Sequence, residues 1–149
     1  MGIFNIIWFV FFGLWQALII IIISAIFAIT IIGIPISKSL LQFAKLSAFP
    51  FGKEVIRETS LIGSDNISEI RKISGMIVNI IWFPFGLLLS LLYIILGIIA
   101  FFTIIGIPIG IVYVRMGKFL LFPIGAKVVS KKEAYASAVV NEIEKRNKN

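Results

Sequence analysis

The chain has 149 residues, 60% of them hydrophobic and 14% charged, with no His and no Cys. A soluble domain of this size cannot bury so much apolar surface, and disorder is excluded by the abundance of Ile, Leu and Phe. Disulfide scaffolds, Cys/His metal sites and any chemistry needing a His base or a thiolate are excluded as well, which leaves a small integral membrane protein.

The excess of 14 Lys and Arg over 7 Asp and Glu is unevenly placed. No charge precedes Lys38. Lys38, Lys45, Arg115 and Lys118 lie inside apolar segments that hold no acid. The stretch from Lys53 to Gly75 is balanced, and the tail after Gly125 is basic. The uncharged N-terminus lacks the basic n-region of a signal peptide, and its apolar run exceeds an h-region of about 7–15 residues. It is expected to remain in the mature protein.

Thr30-Ile-Ile-Gly-Ile-Pro-Ile36 recurs unchanged as Thr103-Ile-Ile-Gly-Ile-Pro-Ile109, an offset of 73 residues. The same offset relates Lys45 to Lys118, Pro50-x-Gly52 to Pro123-x-Gly125 and Val55 to Val128. Upstream, Asn5-Ile-Ile-Trp8-Phe9 matches Asn79-Ile-Ile-Trp82-Phe83 at an offset of 74, so the first copy carries one extra residue. The expected organisation is a first membrane repeat over 1–55, a polar linker with a short helix over 56–75, a second membrane repeat over 76–128 and a basic amphipathic tail helix over 129–149.

This repeated unit, N-x-x-W…G…I-I-G-I-P…K…P-x-G-x-x-V, resembles the YccF family of bacterial inner-membrane proteins, whose unit is the inner membrane component domain. The resemblance implies a bacterial cytoplasmic-membrane location. It brings no catalytic or binding residues with it.

In chain order, Trp8 and Trp82 are expected in an aromatic belt at one membrane surface. Pro84 is expected to set off its block as an interfacial turn. Gly13–Ile32 and Gly86–Ile105 are uncharged and long enough to cross a ~30 Å hydrocarbon core. Within them Gly13, Ala17 and Ser24 match Gly86, Ser90 and Gly97, small residues on one face that suit a helix-packing seam. Thr30 and Thr103 are expected to bond back to a carbonyl in the preceding turn. Gly33 and Gly106 are expected at positive φ as C-caps, with Pro35 and Pro108 opening the next helix. The alternative is a Pro kink in a continuous helix.

The second leg of each repeat, Pro35–Phe49 and Pro108–Phe122, returns across the membrane, re-enters partway or lies along the interface. Basic residues in linker and tail favour a cytoplasmic side for both, hence two parallel hairpins; the alternative is that each repeat spans once, which puts the tail outside and inverts the halves. The expected fold is therefore an all-α integral membrane protein of two tandem helical-hairpin repeats, about four membrane-embedded helices, with a cytoplasmic C-terminal helix. Asn66-x-x-Glu69 and Ser130-x-x-Glu133 read as capping boxes opening the linker and tail helices.

The functional signal is the cationic second leg. Lys38, Gln42 and Lys45 share one helical face, and Gln42 and Lys45 match Arg115 and Lys118. Charges in the bilayer centre cost about 2.5–3.5 kcal/mol each on insertion scales, so these groups should meet water, carbonyls, lipid phosphates or a transported anion. The reading is a small homo-oligomeric inner-membrane protein, most concretely an anion-favouring channel or transporter-like pore. The alternative is a non-conducting scaffold or accessory subunit that binds anionic lipid headgroups. Membrane lipids and small anions are the expected partners. Nucleic acid, a metal, a cofactor and enzymatic activity are not expected.

Overall fold

The computed structural model describes residues 2–63 and 67–149 and is mostly helical. Helix α1 (Gly2–Trp8) continues through a π-helical turn (Phe9–Gly13) into α2 (Leu14–Ala28). After a four-residue turn, α3 (Gly33–Ala48) runs back along α2 and is followed by strand β1 (Lys53–Arg57) and the short α4 (Glu58–Ile62). Helix α5 (Glu69–Phe101), a second turn, α6 (Gly106–Leu121) and strand β2 (Ala126–Ser130) repeat that plan, and α7 (Lys131–Lys148) closes the chain. Two helices, Gly2–Ala28 and Glu69–Phe101, are long and apolar enough to cross a membrane.

Each Gly-Ile-Pro element opens the second of two packed helices, directly after a four-residue turn. Thr30 Oγ1 donates to the Phe27 carbonyl (3.1 Å) and accepts from Gly33 N (3.0 Å). Thr103 does the same with Ala100 (3.2 Å) and Gly106 (2.9 Å). One hydroxyl thus satisfies the end of one helix and the start of the next. The expected positive φ at Gly33 and Gly106 is not found. Among the described residues only Gly52, Gly63 and Gly125 have it. Glycine is needed at the hairpin tips for space instead, because a Cβ would overlap the Phe27 or Ala100 carbonyl and the threonine hydroxyl.

At the other end of each hairpin, Pro50-Phe51-Gly52-Lys53 closes with Lys53 N bonded to Pro50 O (3.4 Å). Ala126 N bonds likewise to Pro123 O (3.1 Å). Positive φ at Gly52 (82°) and Gly125 (85°) is what the third position of a type II turn requires. Asn5 clamps the first of these turns through both its amide oxygen and nitrogen (Phe51 N 3.0 Å, Phe51 O 2.9 Å). Asn79 clamps the second through Ile124 (3.0 Å both ways).

The turns feed β1 and β2, which pair antiparallel in a two-stranded sheet absent from the all-α expectation. Val55 pairs with Val128, its own repeat equivalent, so the ladder is symmetric about the duplication. Pairing across the duplication has a further consequence for the hairpins. They are not parallel, because the tip of the first lies beside the base of the second, with Phe27 edge-on to Trp82 at 6.4 Å. At the centre, Phe43 of α3 stacks on Phe119 of α6 at 5.4 Å. The buried core is built mainly from α3 and α6, with Leu46, Met116, Phe119 and Val112 nearly inaccessible.

Three further expectations change. Trp8 and Trp82 are 3% and 9% exposed, not belt residues, because their indole N–H groups donate to Ser47 O (2.7 Å) and Leu120 O (2.9 Å). Pro84 makes no turn and lies inside α5. The linker holds the short α4, but the helix expected to open at Asn66 is no separate element, since Glu69 opens the 33-residue α5, whose exposed Ile70, Ile73 and Ile77 run on into the span. The boundary at 75/76 thus falls within a helix, and those at 55/56 and 128/129 fall within the strands. The cap proposed at Asn66 lies outside the described residues. Ser68 caps α5, accepting from Arg71 N. The Ser130–Glu133 capping box is present in full.

Candidate functional site: the polar groups of the second legs

Gln42 and Arg115 hold equivalent places midway along α3 and α6, and each reaches across to the other repeat. Gln42 Oε1 accepts from Val128 N in β2 (3.1 Å). Arg115 Nη1 donates to Lys53 O (2.6 Å) and Pro50 O (3.4 Å), and Nη2 lies 3.9 Å from Glu54. Both residues are half-buried. Together they fasten the sheet onto the crossing of α3 and α6. The carboxylate near Arg115 comes from β1, outside the apolar segments where none was available.

Arg57 makes a further cross-link, donating through Nη1 to Phe122 O (2.9 Å) and Ile124 O (3.1 Å). Burial pulls its pKa below the usual guanidinium value. It remains a cation at any physiological pH. A carbonyl pair at the end of α6 is a natural place for it, since helix C-termini carry partial negative charge.

Lys38, Lys45 and Lys118 behave differently. All three are exposed, and their ammonium groups make no hydrogen bond or ion pair among the described residues. Each sits among exposed apolar side chains: Ile34 and Leu41 on α3 with Phe49 just beyond it, and Ile111 on α6 with Phe122 just beyond it. A long aliphatic stem laid on an apolar face, with its ammonium at the rim, is the snorkelling arrangement.

Lys38 also opens onto a groove of about 760 Å³. Its walls are the tip of the first hairpin, the turn at the base of the second, and the first turns of α5. Arg57, Arg71, Lys72 and Lys127 line it with Lys38, and Glu58 is the single acid among the described residues of its lining. Glu58 is already shared by Arg71 (2.9 Å) and Lys127 (3.6 Å). The sequence assigns these groups to linker and tail, and no linear spacing joins them. Only the strand pairing brings them to one place. No group of three or more acidic side chains able to hold a metal exists among the described residues.

The seam residues lie buried between the legs of each hairpin. Gly13 faces the Ser47 and Ala48 carbonyls, and Ser24 Oγ bonds Ser37 O (2.9 Å). Gly97 approaches Gly110, Ser90 approaches Gly117, and Gly86 lies against the Leu120 carbonyl. Ala17 is 7% exposed. Pro35 and Pro108 each sit in the first turn of α3 or α6, where a missing N–H is harmless.

Two long apolar helices, an outer surface of exposed Ile, Leu and Phe, and a polar cap of sheet, α4 and α7 define a membrane-embedded protein. The model of the YccF family, described as an inner membrane component domain, matches residues 3–53 and 77–126. The chain belongs to this family. It is 33% identical over 114 residues to the inner membrane protein YccF of Escherichia coli (strain K12), covering 76% of each chain. The protein of the same description from Shigella flexneri matches to the same extent. No solved structure matches the chain significantly.

Proposed function

We propose that the protein is a non-conducting scaffold of the bacterial inner membrane. Its hairpins anchor a polar cap, and Lys38, Lys45 and Lys118 grip anionic lipid headgroups. The observation that carries this reading is the contrast among the embedded cations. Arg115 is spent on Lys53 O and Pro50 O, whereas the three exposed lysine ammonium groups lie among exposed apolar side chains with no partner among the described residues. A pore would need several copies to gather Lys45 and Lys118 around one axis. Headgroup binding needs only the rim a single chain already has. The positive-inside tendency of the basic tail favours a cytoplasmic cap, where anionic lipid would attract each Lys by about 1 kcal/mol.

The test reconstitutes the wild type and a K38Q/K45Q/K118Q variant in phosphatidylcholine with and without phosphatidylglycerol. Anionic lipid should raise the melting temperature of the wild type and have much less effect on the variant. Chloride and nitrate flux should be absent from both. Anion flux in the wild type that the triple change abolishes would instead establish the pore.

A further inference from the structure

We infer that the groove beside the first hairpin tip is a binding site for one anionic phospholipid, with Lys38 and Lys72 on its phosphate. The inference rests on the headgroup-binding reading but names a single site within it. The groove is polar at one end and apolar at the other. Toward the cap, five cationic side chains face one carboxylate, and that carboxylate is already shared by Arg71 and Lys127. Arg57 is committed to two backbone carbonyls. The ammonium groups of Lys38 and Lys72 are left with no ion pair or hydrogen bond among the described residues. A phosphate between them would find two ammonium groups and, among the described residues that line the groove, no unshared carboxylate.

Toward the hairpin tip the lining becomes Ile31, Ile34, Met76 and Ile80, which are 88%, 42%, 64% and 67% exposed. That wall is continuous with the apolar surface of the hairpins, so a lipid can enter sideways from the bilayer and leave its chains there. The volume of about 760 Å³ is within the ~300–1,000 Å³ of ordinary ligand clefts. A free inorganic anion would use the lysines but leave the isoleucine wall without a role, so charge and shape together favour the lipid.

Native mass spectrometry of the protein released from nanodiscs of mixed phosphatidylglycerol and phosphatidylcholine provides the test. The wild type should retain one phosphatidylglycerol per chain. In K38Q/K72Q that occupancy should fall by about tenfold or more, since each Lys near an anionic surface contributes on the order of fivefold. The rim pair K45Q/K118Q should keep it. A third variant, Ile34→Trp, fills the apolar end with every charge intact and should also lose the bound lipid. Equal losses in the groove and rim variants would overturn the single site while leaving the diffuse rim standing. Retention of no lipid by the wild type would overturn both readings. Displacement of the lipid by millimolar inorganic phosphate, with Ile34→Trp unaffected, would make the groove a free-anion site. Melting temperatures in a zwitterionic detergent check that the variants are folded.

Discussion

Replacing Gly86 with Ala probes the closest helix contact in the second hairpin. Trp82 and Gly86 lie one turn apart on α5 and enclose the Leu120 carbonyl, which accepts the indole N–H at 2.9 Å. A Cβ on residue 86 would overlap that carbonyl and stand 2.7 Å from the Trp82 ring. The helices must then separate, or the indole must leave its acceptor. Overpacking of this kind costs about 1–3 kcal/mol, and a lost hydrogen bond adds about 1 kcal/mol. Removing glycine from a helix interior returns only ~0.5–1 kcal/mol, so the clash dominates and the net loss is about 1–3 kcal/mol. Gly75→Ala is the control in the same helix, because its Cβ would meet nothing closer than Ile124 Cγ2 at 3.4 Å. That change should be neutral or slightly stabilising. Gly13→Ala should fall between them, its nearest atoms being the Ala48 and Ser47 carbonyls at 2.8 and 2.9 Å. Thermal unfolding in detergent, followed by fluorescence-detected size exclusion, reads the order directly. At about 2–4 °C per kcal/mol for a chain of this length, Gly86→Ala should melt several degrees below wild type. Melting at or above both wild type and Gly75→Ala would refute the tight carbonyl cradle.

The cross-repeat fastenings should matter for stability. Arg115→Met removes charge-assisted bonds to two carbonyls, worth about 1.5–3 kcal/mol, and should lower the melting temperature in lipid and detergent alike, with partial rescue by Arg115→Lys. Gln42→Leu leaves Val128 N without its acceptor and should cost about 1–3 kcal/mol, whereas Gln42→Glu keeps an acceptor oxygen and should cost less. The start of α7 should respond to acid. The Ser130 backbone N–H and hydroxyl hold the Glu133 carboxyl below its usual range. A carboxyl depressed in the folded state stabilises above its unfolded pKa, and that contribution is lost as pH falls through the folded value. A nitroxide at an Ala136→Cys site should therefore gain mobility in that acidic window, and E133Q should remove the transition.

The hairpins were legible because their determinants are local. Thr30, Gly33 and Pro35 lie within two helical turns, and the small-residue faces repeat at helical spacing. Gly33 shows the limit of such reasoning. The residue type pointed to a turn, but the reason is a carbonyl and a hydroxyl that leave no room for a Cβ, and φ is ordinary. The strands were not legible. Lys53-Glu-Val-Ile-Arg57 has no clean alternation, and its partner lies in the other repeat. Once the sheet is missed, the head-to-tail hairpins and the groove are missed too, because both follow from that pairing. The belt expectation for Trp8 and Trp82 fails for a related reason. An interfacial indole and one that caps a neighbouring helix look alike until the returning helix is in position. The lysines were found by charge alone, but nothing in their spacing separated Lys38, Lys45 and Lys118 from the bonded Arg115 and Gln42.

The extra residue of the first repeat offers a sharper test of how the duplication is built. Asn5 and Trp8 match Asn79 and Trp82 at one offset, yet their partners Phe51 and Ser47 match Ile124 and Leu120 at an offset one residue shorter. Both copies make the same bonds, so the surplus residue must be absorbed between Trp8 and Gly13. The π-helical turn at Phe9–Gly13 lies there, and widening one turn is how a helix takes in a single residue without rotating its flanks. In the second copy the matching stretch is one residue shorter, holds Pro84, and stays α-helical. Deleting Val10 should therefore convert the π turn to regular helix, leave Asn5 and Trp8 on their acceptors, and change the melting temperature little. Deleting Ile21 from α2 has no such turn to draw on. It rotates one flank by about 100°, carries Ser24 away from Ser37 or Gly13 away from Ser47, and should prevent folding. If the two deletions prove equally damaging, the π turn is not the site that absorbs the insertion.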